Sequence, residues 1–166
     1  MAKLKLHGNP INTCGSLPRI GAKAKEFVLT DNKLQDHTLA DFKGKKLLLN
    51  IYPSIDTGVC ATSVHKFNAE AAKIPNIAVL GISRDLPFAL GRFCAAEGID
   101  KLFTLSEMKN RDFGKAYGLE LIDGPMAGLL ARAVIIIDKD AKVIYRQLVE
   151  DITMEPDYKA ALKALK

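Results

Sequence analysis

Nowhere in this chain do apolar residues run for the roughly 18 positions that a membrane-spanning helix needs. The first eight residues, Met1 to Gly8, alternate polar and apolar side chains, and no apolar block of signal-peptide length follows them. Neither a membrane partner nor export is expected, which leaves the cytoplasm as the default location. Cysteine is scarce: Cys14, Cys60 and Cys94 are an odd set with no close pair. That argues against a secreted disulfide framework and against a zinc site of the C-x-x-C kind, and fits reduced thiols in a reducing compartment. Low-complexity tracts and repeats are missing too, so disorder and solenoid architectures are not expected. The glycines form no phosphate-cradling motif, and His7, His37 and His65 stand apart in the sequence as surface residues, not ligands. No metal, flavin or nucleotide cofactor is therefore expected. Lysine and arginine exceed the acids by 24 to 19, but Lys43, Lys45 and Lys46 read as a turn, and Lys159, Lys163 and Lys166 as the outer face of a last helix. Without a basic stripe interleaved with aromatics, this is a solvated surface and not a nucleic-acid site.

What is present is enough apolar material, 48% of 166 residues, for one sizeable core. A single domain over residues 1–166 is expected, with residues 1–16 as an N-terminal hairpin: strands at 3–7 and 11–16 around Gly8-Asn9-Pro10. Two short strands are placed at 26–30 and 37–39. Residues 47–52 and 77–82 are almost unbroken apolar runs of strand length, as is 133–137, which suits strands covered on both faces. Between the first two, Cys60, Val64, Phe67, Ala71 and Ile74 recur at helical spacing until Pro75 stops the helix. A second helix is signalled by Asp85 as cap, Pro87 in the first turn, a buried side of Leu86, Leu90, Phe93 and Cys94, and Gly98 as the stop. After a strand within 102–105 and a short helix near 112–117, the Val134 strand turns at 138–140 into an antiparallel partner at 143–149. A helix over 156–165 closes the chain. A parallel β-α-β unit followed by such a hairpin matches an α/β thioredoxin-like fold, a central mixed sheet flanked by helices.

Cys60 lies where a buried strand passes through a loop, 53–59, into the first turn of a helix. Unpaired backbone N–H groups and the positive end of the helix dipole there favour thiolate over thiol. Acidity alone gains little, because nucleophilicity falls as a thiolate becomes less basic. To break an O–O bond, donors must also hold the oxygen on which negative charge develops. Thr57, three residues earlier, offers a hydroxyl, and Arg132, entering the Val134 strand from an apolar stretch, offers a cation that needs a partner. Each residue has a plainer reading. Cys60 could be inert packing, Thr57 a helix cap, and Arg132 half of a structural ion pair or a solvent-facing charge.

The pattern Pro53-x-x-x-Thr57-x-x-Cys60 resembles the active-site motif of the peroxiredoxins, and residues 50–64 resemble their atypical two-cysteine branch, the bacterial thiol peroxidases. The resemblance extends to 83–94, to Ala131-Arg132-Ala133-Val134 and to Glu155-Pro156-Asp157-Tyr158. It implies that Cys60 attacks the peroxide and that Cys94 resolves it in an intramolecular disulfide. Thr57 and Arg132 would hold thiolate and peroxide, and Pro53 would shield the sulfenic acid from water. It also implies thioredoxin as reductant, a homodimer, hydrogen peroxide and alkyl or lipid hydroperoxides as substrates, and a role in antioxidant defence. Cys14 falls outside the motif and reads as a structural or incidental thiol. A disulfide needs Cα atoms within about 7 Å. With Cys60 in a first turn and Cys94 in mid-helix, local unwinding of one or both segments is expected, visible as hydrogen exchange that differs between reduced and oxidised protein. The rival readings are a disulfide reductase, disfavoured by Ser63 where a second cysteine would stand, a redox sensor, and a binding module with idle thiols.

Overall fold

The apolar run beginning at Lys46 forms β5 (Lys46–Ile51), an interior strand of a seven-stranded sheet. The computed structural model describes residues 1–71 and 73–166. Across the sheet the order is β4 (Asp36–Thr38), β3 (Val28–Asp31), β7 (Phe103–Ser106), β6 (Ile77–Ser83), β5, β8 (Ala133–Ile137) and β9 (Val143–Leu148). Strands β5, β6 and β7 are parallel, and antiparallel strands extend the sheet on both sides. The crossovers between the parallel strands are α1 (Gly58–Ala71) and α2 (Pro87–Glu97), followed by a short α3 (Asp112–Ala116) and a terminal α4 (Tyr158–Leu165). Among the described residues, no helix is long and apolar enough to cross a membrane.

Successive side chains of β5 point to opposite faces. Leu47, Leu49 and Ile51 join Leu80, Ile135 and Ile137 in a core that Phe27, the 3-10 helix Leu39–Phe42 and Phe113 of α3 cover. On the other face, Leu48, Val79, Val134 and Ile136 meet Phe67 of α1 and Ala161 and Leu165 of α4. Beside them Tyr52, Cys60, Val64, Leu90 and Cys94 form a third cluster under α1 and α2. Each fully buried Leu, Ile or Phe contributes on the order of 1.5–3 kcal/mol, so packing fixes where α1 lies.

Several boundaries differ from the sequence reading. The hairpin strands are β1 (Lys3–Leu6) and β2 (Asn9–Asn12), joined by His7-Gly8, whose φ values of 51° and 81° suit a two-residue hairpin turn. Pro10 lies inside β2 opposite Lys5, and the chain then leaves the hairpin, with Thr13 bridging Leu121. Backbone bonds from Lys5 N–H to Glu150 and from Ile152 N–H to Lys5 dock the hairpin on the segment after β9. Chain in a turn conformation from Lys73 follows α1, so the helix ends before Pro75 is reached, and Ile74 packs from outside it.

In α2, Pro87 stands at the first position and Gly98, at φ 65°, provides the left-handed close. The cap position, however, belongs to Leu86, which caps with no side-chain bond and is 56% exposed instead of facing the core. Asp85 turns away from the helix because two donors in the loop before α1 and one at the end of β6 offer its carboxylate more than one helix N–H would. Asp157 does cap α4, accepting from Ala160 N–H at 2.9 Å. His37 and His65 are not isolated: they pair with Asp31 at 2.8 Å and Glu97 at 3.0 Å. These acids are distant in sequence or on another strand, beyond what the spacing of the histidines could show.

Candidate active site

Beyond Ile51 the parallel ladder lasts one more bond, from Tyr52 N–H to Ile82, and the chain then breaks into the loop that ends at Thr57. The Thr57 carbonyl accepts from Ala61 N–H, which makes Thr57 the residue at the cap of α1. Its hydroxyl donates to the Cys60 sulfur at 2.6 Å. Arg132 Nη1 donates to the same sulfur at 3.4 Å, while Arg132 Nε is held by the Ile152 carbonyl at 2.8 Å. Cys60 is fully buried and Arg132 is 2% exposed, so a cation and a hydroxyl meet the sulfur where water screens little. The geometry therefore unites two of the plainer readings with the functional one: Thr57 is at the helix cap and on the sulfur, and the partner Arg132 needs is Cys60.

Two polar tethers hold this arrangement. The Asp85 carboxylate accepts from Ser54 Oγ, Ile55 N–H and Ser83 Oγ, each at 2.7 Å, and so binds the loop to the end of β6. Under the helix, Asn50 Nδ2 donates to Ser63 Oγ at 3.1 Å, and Ser63 Oγ donates to the Cys60 carbonyl at 2.8 Å. Sequence reasoning missed these roles of Asn50, Ser63 and Asp85. The one available signal was Asn50 itself, an amide inside an otherwise apolar run. A pocket of about 320 Å³ opens over the site, lined by Pro53, Thr57, Val59 and Arg132 together with Leu6, His7, Met126 and Ile152. Pro53 is buried at its wall, and the N-terminal hairpin supplies one side.

Cys94 belongs to the same buried cluster as Cys60, but its sulfur contacts the Thr104 hydroxyl of β7 at 3.6 Å. Burial pushes its thiol above the ordinary range, and the Thr104 contact offsets this in part. All three cysteines are free thiols. Cys14 lies elsewhere, half-buried, with its sulfur 3.7 Å from the Gly114 carbonyl. The Glu155–Tyr158 segment packs the start of α4 against α1: Lys66 sits 4.4 Å over the Tyr158 ring and 2.7 Å from Glu155, and Phe67 meets the ring edge-on.

Residues 19–162 match the Redoxin family model. The chain is 53% identical over 165 residues to a thiol peroxidase of Corynebacterium glutamicum, an alignment covering 99% of each protein. Among solved structures, a peroxiredoxin-like protein of Aquifex aeolicus superposes with a TM-score of 0.94 at 38% identity, covering 99% of this chain and 96% of that one. The thiol peroxidase of Chromobacterium violaceum shares the fold, with a TM-score of 0.89 at 24% identity over 98% of this chain and 94% of that one.

Proposed function

This chain belongs to the Redoxin family and is a thiol-dependent peroxidase, and from that premise we propose how its residues divide the work. Cys60 is the attacking group. Its thiolate takes the terminal oxygen of a hydroperoxide, the O–O bond breaks, and the remaining oxygen leaves as water or an alcohol once protonated. Sulfur is oxidised by two electrons to the sulfenic acid, and the peroxide is reduced. Arg132 and Thr57 hold the thiolate before attack and stabilise the charge that passes to the departing oxygen. Pro53, buried at the pocket wall, keeps bulk water from the sulfenic acid. Cys94 then condenses with oxidised Cys60, releasing water and leaving a disulfide within the chain.

The observation that carries this reading is the Cys60 sulfur held between the Thr57 hydroxyl and the Arg132 guanidinium in a buried site. The largely apolar lining of the pocket, from Leu6, Val59, Met126 and Ile152, supports organic hydroperoxides as substrates beside hydrogen peroxide. Family resemblance supports thioredoxin as the dithiol that reopens the disulfide, a homodimer as the working assembly, and the cytoplasm as the location. The test is to treat reduced protein with one equivalent of peroxide and map the products by mass spectrometry. A Cys60–Cys94 link is expected in the wild type, loss of turnover in Cys60→Ser, and over-oxidised Cys60 in Cys94→Ser. Peroxide consumption that survives in Cys60→Ser would overturn the assignment.

A further inference from the structure

One row of register partners runs across the sheet beneath both cysteines: Asn50 of β5 pairs with Gly81 of β6, and Gly81 pairs with Thr104 of β7. Residues paired in this way share a face, so the row presents an amide, a bare backbone and a hydroxyl to the helices above. Asn50 supports Cys60 through Ser63, and Thr104 contacts the Cys94 sulfur. The two cysteine supports are therefore two strands apart, about 10 Å at ordinary strand spacing. The position between them has no side chain of its own. Tyr52 fills it: its hydroxyl would lie 3.0 Å from a Cβ placed on Gly81.

This hydroxyl is fully buried and, among the described residues, has no hydrogen-bond partner. Leaving such a group unpaired destabilises the reduced protein, and a phenylalanine would fill the same volume without that cost. Burial, with Asp85, Cys60 and Cys94 nearby, pushes the phenol well up, so it remains a protonated donor. Cys94, for its part, must lose a proton in a site whose burial opposes the thiolate.

We propose that the Tyr52 hydroxyl is the hydrogen-bond donor to the Cys94 sulfur as that sulfur attacks oxidised Cys60. The proposal rests on Cys94 being the resolving thiol. A sulfur that leaves Thr104 for Cys60 passes over Gly81, where the phenol stands ready to bond the developing thiolate. The S–S bond then forms and the S–O bond of the sulfenic acid breaks. The thiol proton leaves with the departing hydroxide as water, and Tyr52 keeps its own proton throughout. The assignment also gives Gly81 a reason, since any side chain there would displace the hydroxyl from the path.

The experiment is Tyr52→Phe, reduced, mixed with one equivalent of peroxide and quenched at intervals for mass spectrometry beside the wild type. Oxidation of Cys60 is expected within about twofold of wild type, and Cys60–Cys94 bond formation slower by about tenfold or more, the scale of one hydrogen bond to a charged group. With excess peroxide, sulfinic acid at Cys60 should rise in step with that delay. Gly81→Ala should slow the same step in the wild-type background and add little in the Tyr52→Phe background. An unchanged rate of disulfide formation in Tyr52→Phe, or equal slowing of both steps, would overturn the proposal. A wild type that consumes peroxide without ever joining the two sulfurs would instead overturn the resolving role of Cys94, and this inference with it.

Discussion

Around Cys60, a hydroxyl and a guanidinium converge on the sulfur, and two polar tethers fix the loop and helix that carry it. Cys94 shares its cluster with Leu90, Ile99 and Tyr52, and its sulfur contacts one hydroxyl, that of Thr104, at 3.6 Å. The first site brings two donors onto its sulfur, whereas burial at the second favours the neutral thiol. Their scaffolds differ in the same sense. Of the eleven residues of α2 only Pro87, Leu90 and Cys94 are buried, and Leu86 and Phe88 at its start are 56% and 66% exposed. A helix with so few apolar anchors opens at modest cost, while the Cys60 loop is bound by a carboxylate with three donors. On the roles proposed above, the attacking sulfur is preorganised, and α2 is the element expected to open.

The largest break in this contrast comes from removing the charge at the first site. Arg132→Met is expected to lower kcat/KM for peroxide about a hundredfold or more, the scale set by losing one preorganised donor to a developing charge. Arg132→Lys should fall between, because a single ammonium cannot serve both the Ile152 carbonyl and the sulfur as the guanidinium fork does. Stopped-flow measurement of Cys60 oxidation in both variants checks this. Values within threefold of wild type would mean that the cation serves packing alone.

The tether should matter less than the cation. Asp85→Asn leaves one acceptor oxygen for three donors, and it is expected to slow Cys60 oxidation about tenfold and to cost about 1–3 kcal/mol of stability. The rate at which Cys94 closes the disulfide should change little. Denaturant titration and single-turnover kinetics on one preparation separate these effects, and a variant that slowed only the closing step would reverse the roles given to loop and helix.

Legibility in the sequence followed the range of the interaction. The three apolar runs, the Cys60, Val64 and Phe67 part of the helix stripe and the Gly98 stop are local patterns, and each appears in the structure near its expected position. Thr57 could be read because it lies one helical turn from Cys60, and Arg132 because a charge in an apolar stretch demands a partner. Asp85 shows where such reading fails. Beside Pro87 it has the signature of a cap, yet its partners Ser54 and Ile55 come from a loop thirty residues away. The hairpin turn was displaced for a related reason: Gly8-Asn9-Pro10 looks like the break, but the two positive φ values fall on His7 and Gly8. Tyr52 and Gly81 had no meaning before the register was known, since only pairing across β5, β6 and β7 puts them between the cysteines.

The finest test uses pH. Burial raises the Cys94 thiol above its ordinary value near 9, so the folded protein binds this proton more tightly than the unfolded chain does. Stability from Cys94 is then fully present below about pH 9 and is lost as pH rises through the higher folded value. Tyr52, Tyr117 and Tyr145 are also pushed up by burial and add losses of the same sign, so the comparison must be a difference. Wild type minus Cys94→Ser, followed by denaturant unfolding under reducing conditions from pH 8 to 10.5, should show a small extra decline confined to the alkaline side. A flat difference would mean that the Cys94 sulfur is no better shielded than an exposed thiol. The contrast between the two sulfurs would then rest on the donors around Cys60 alone.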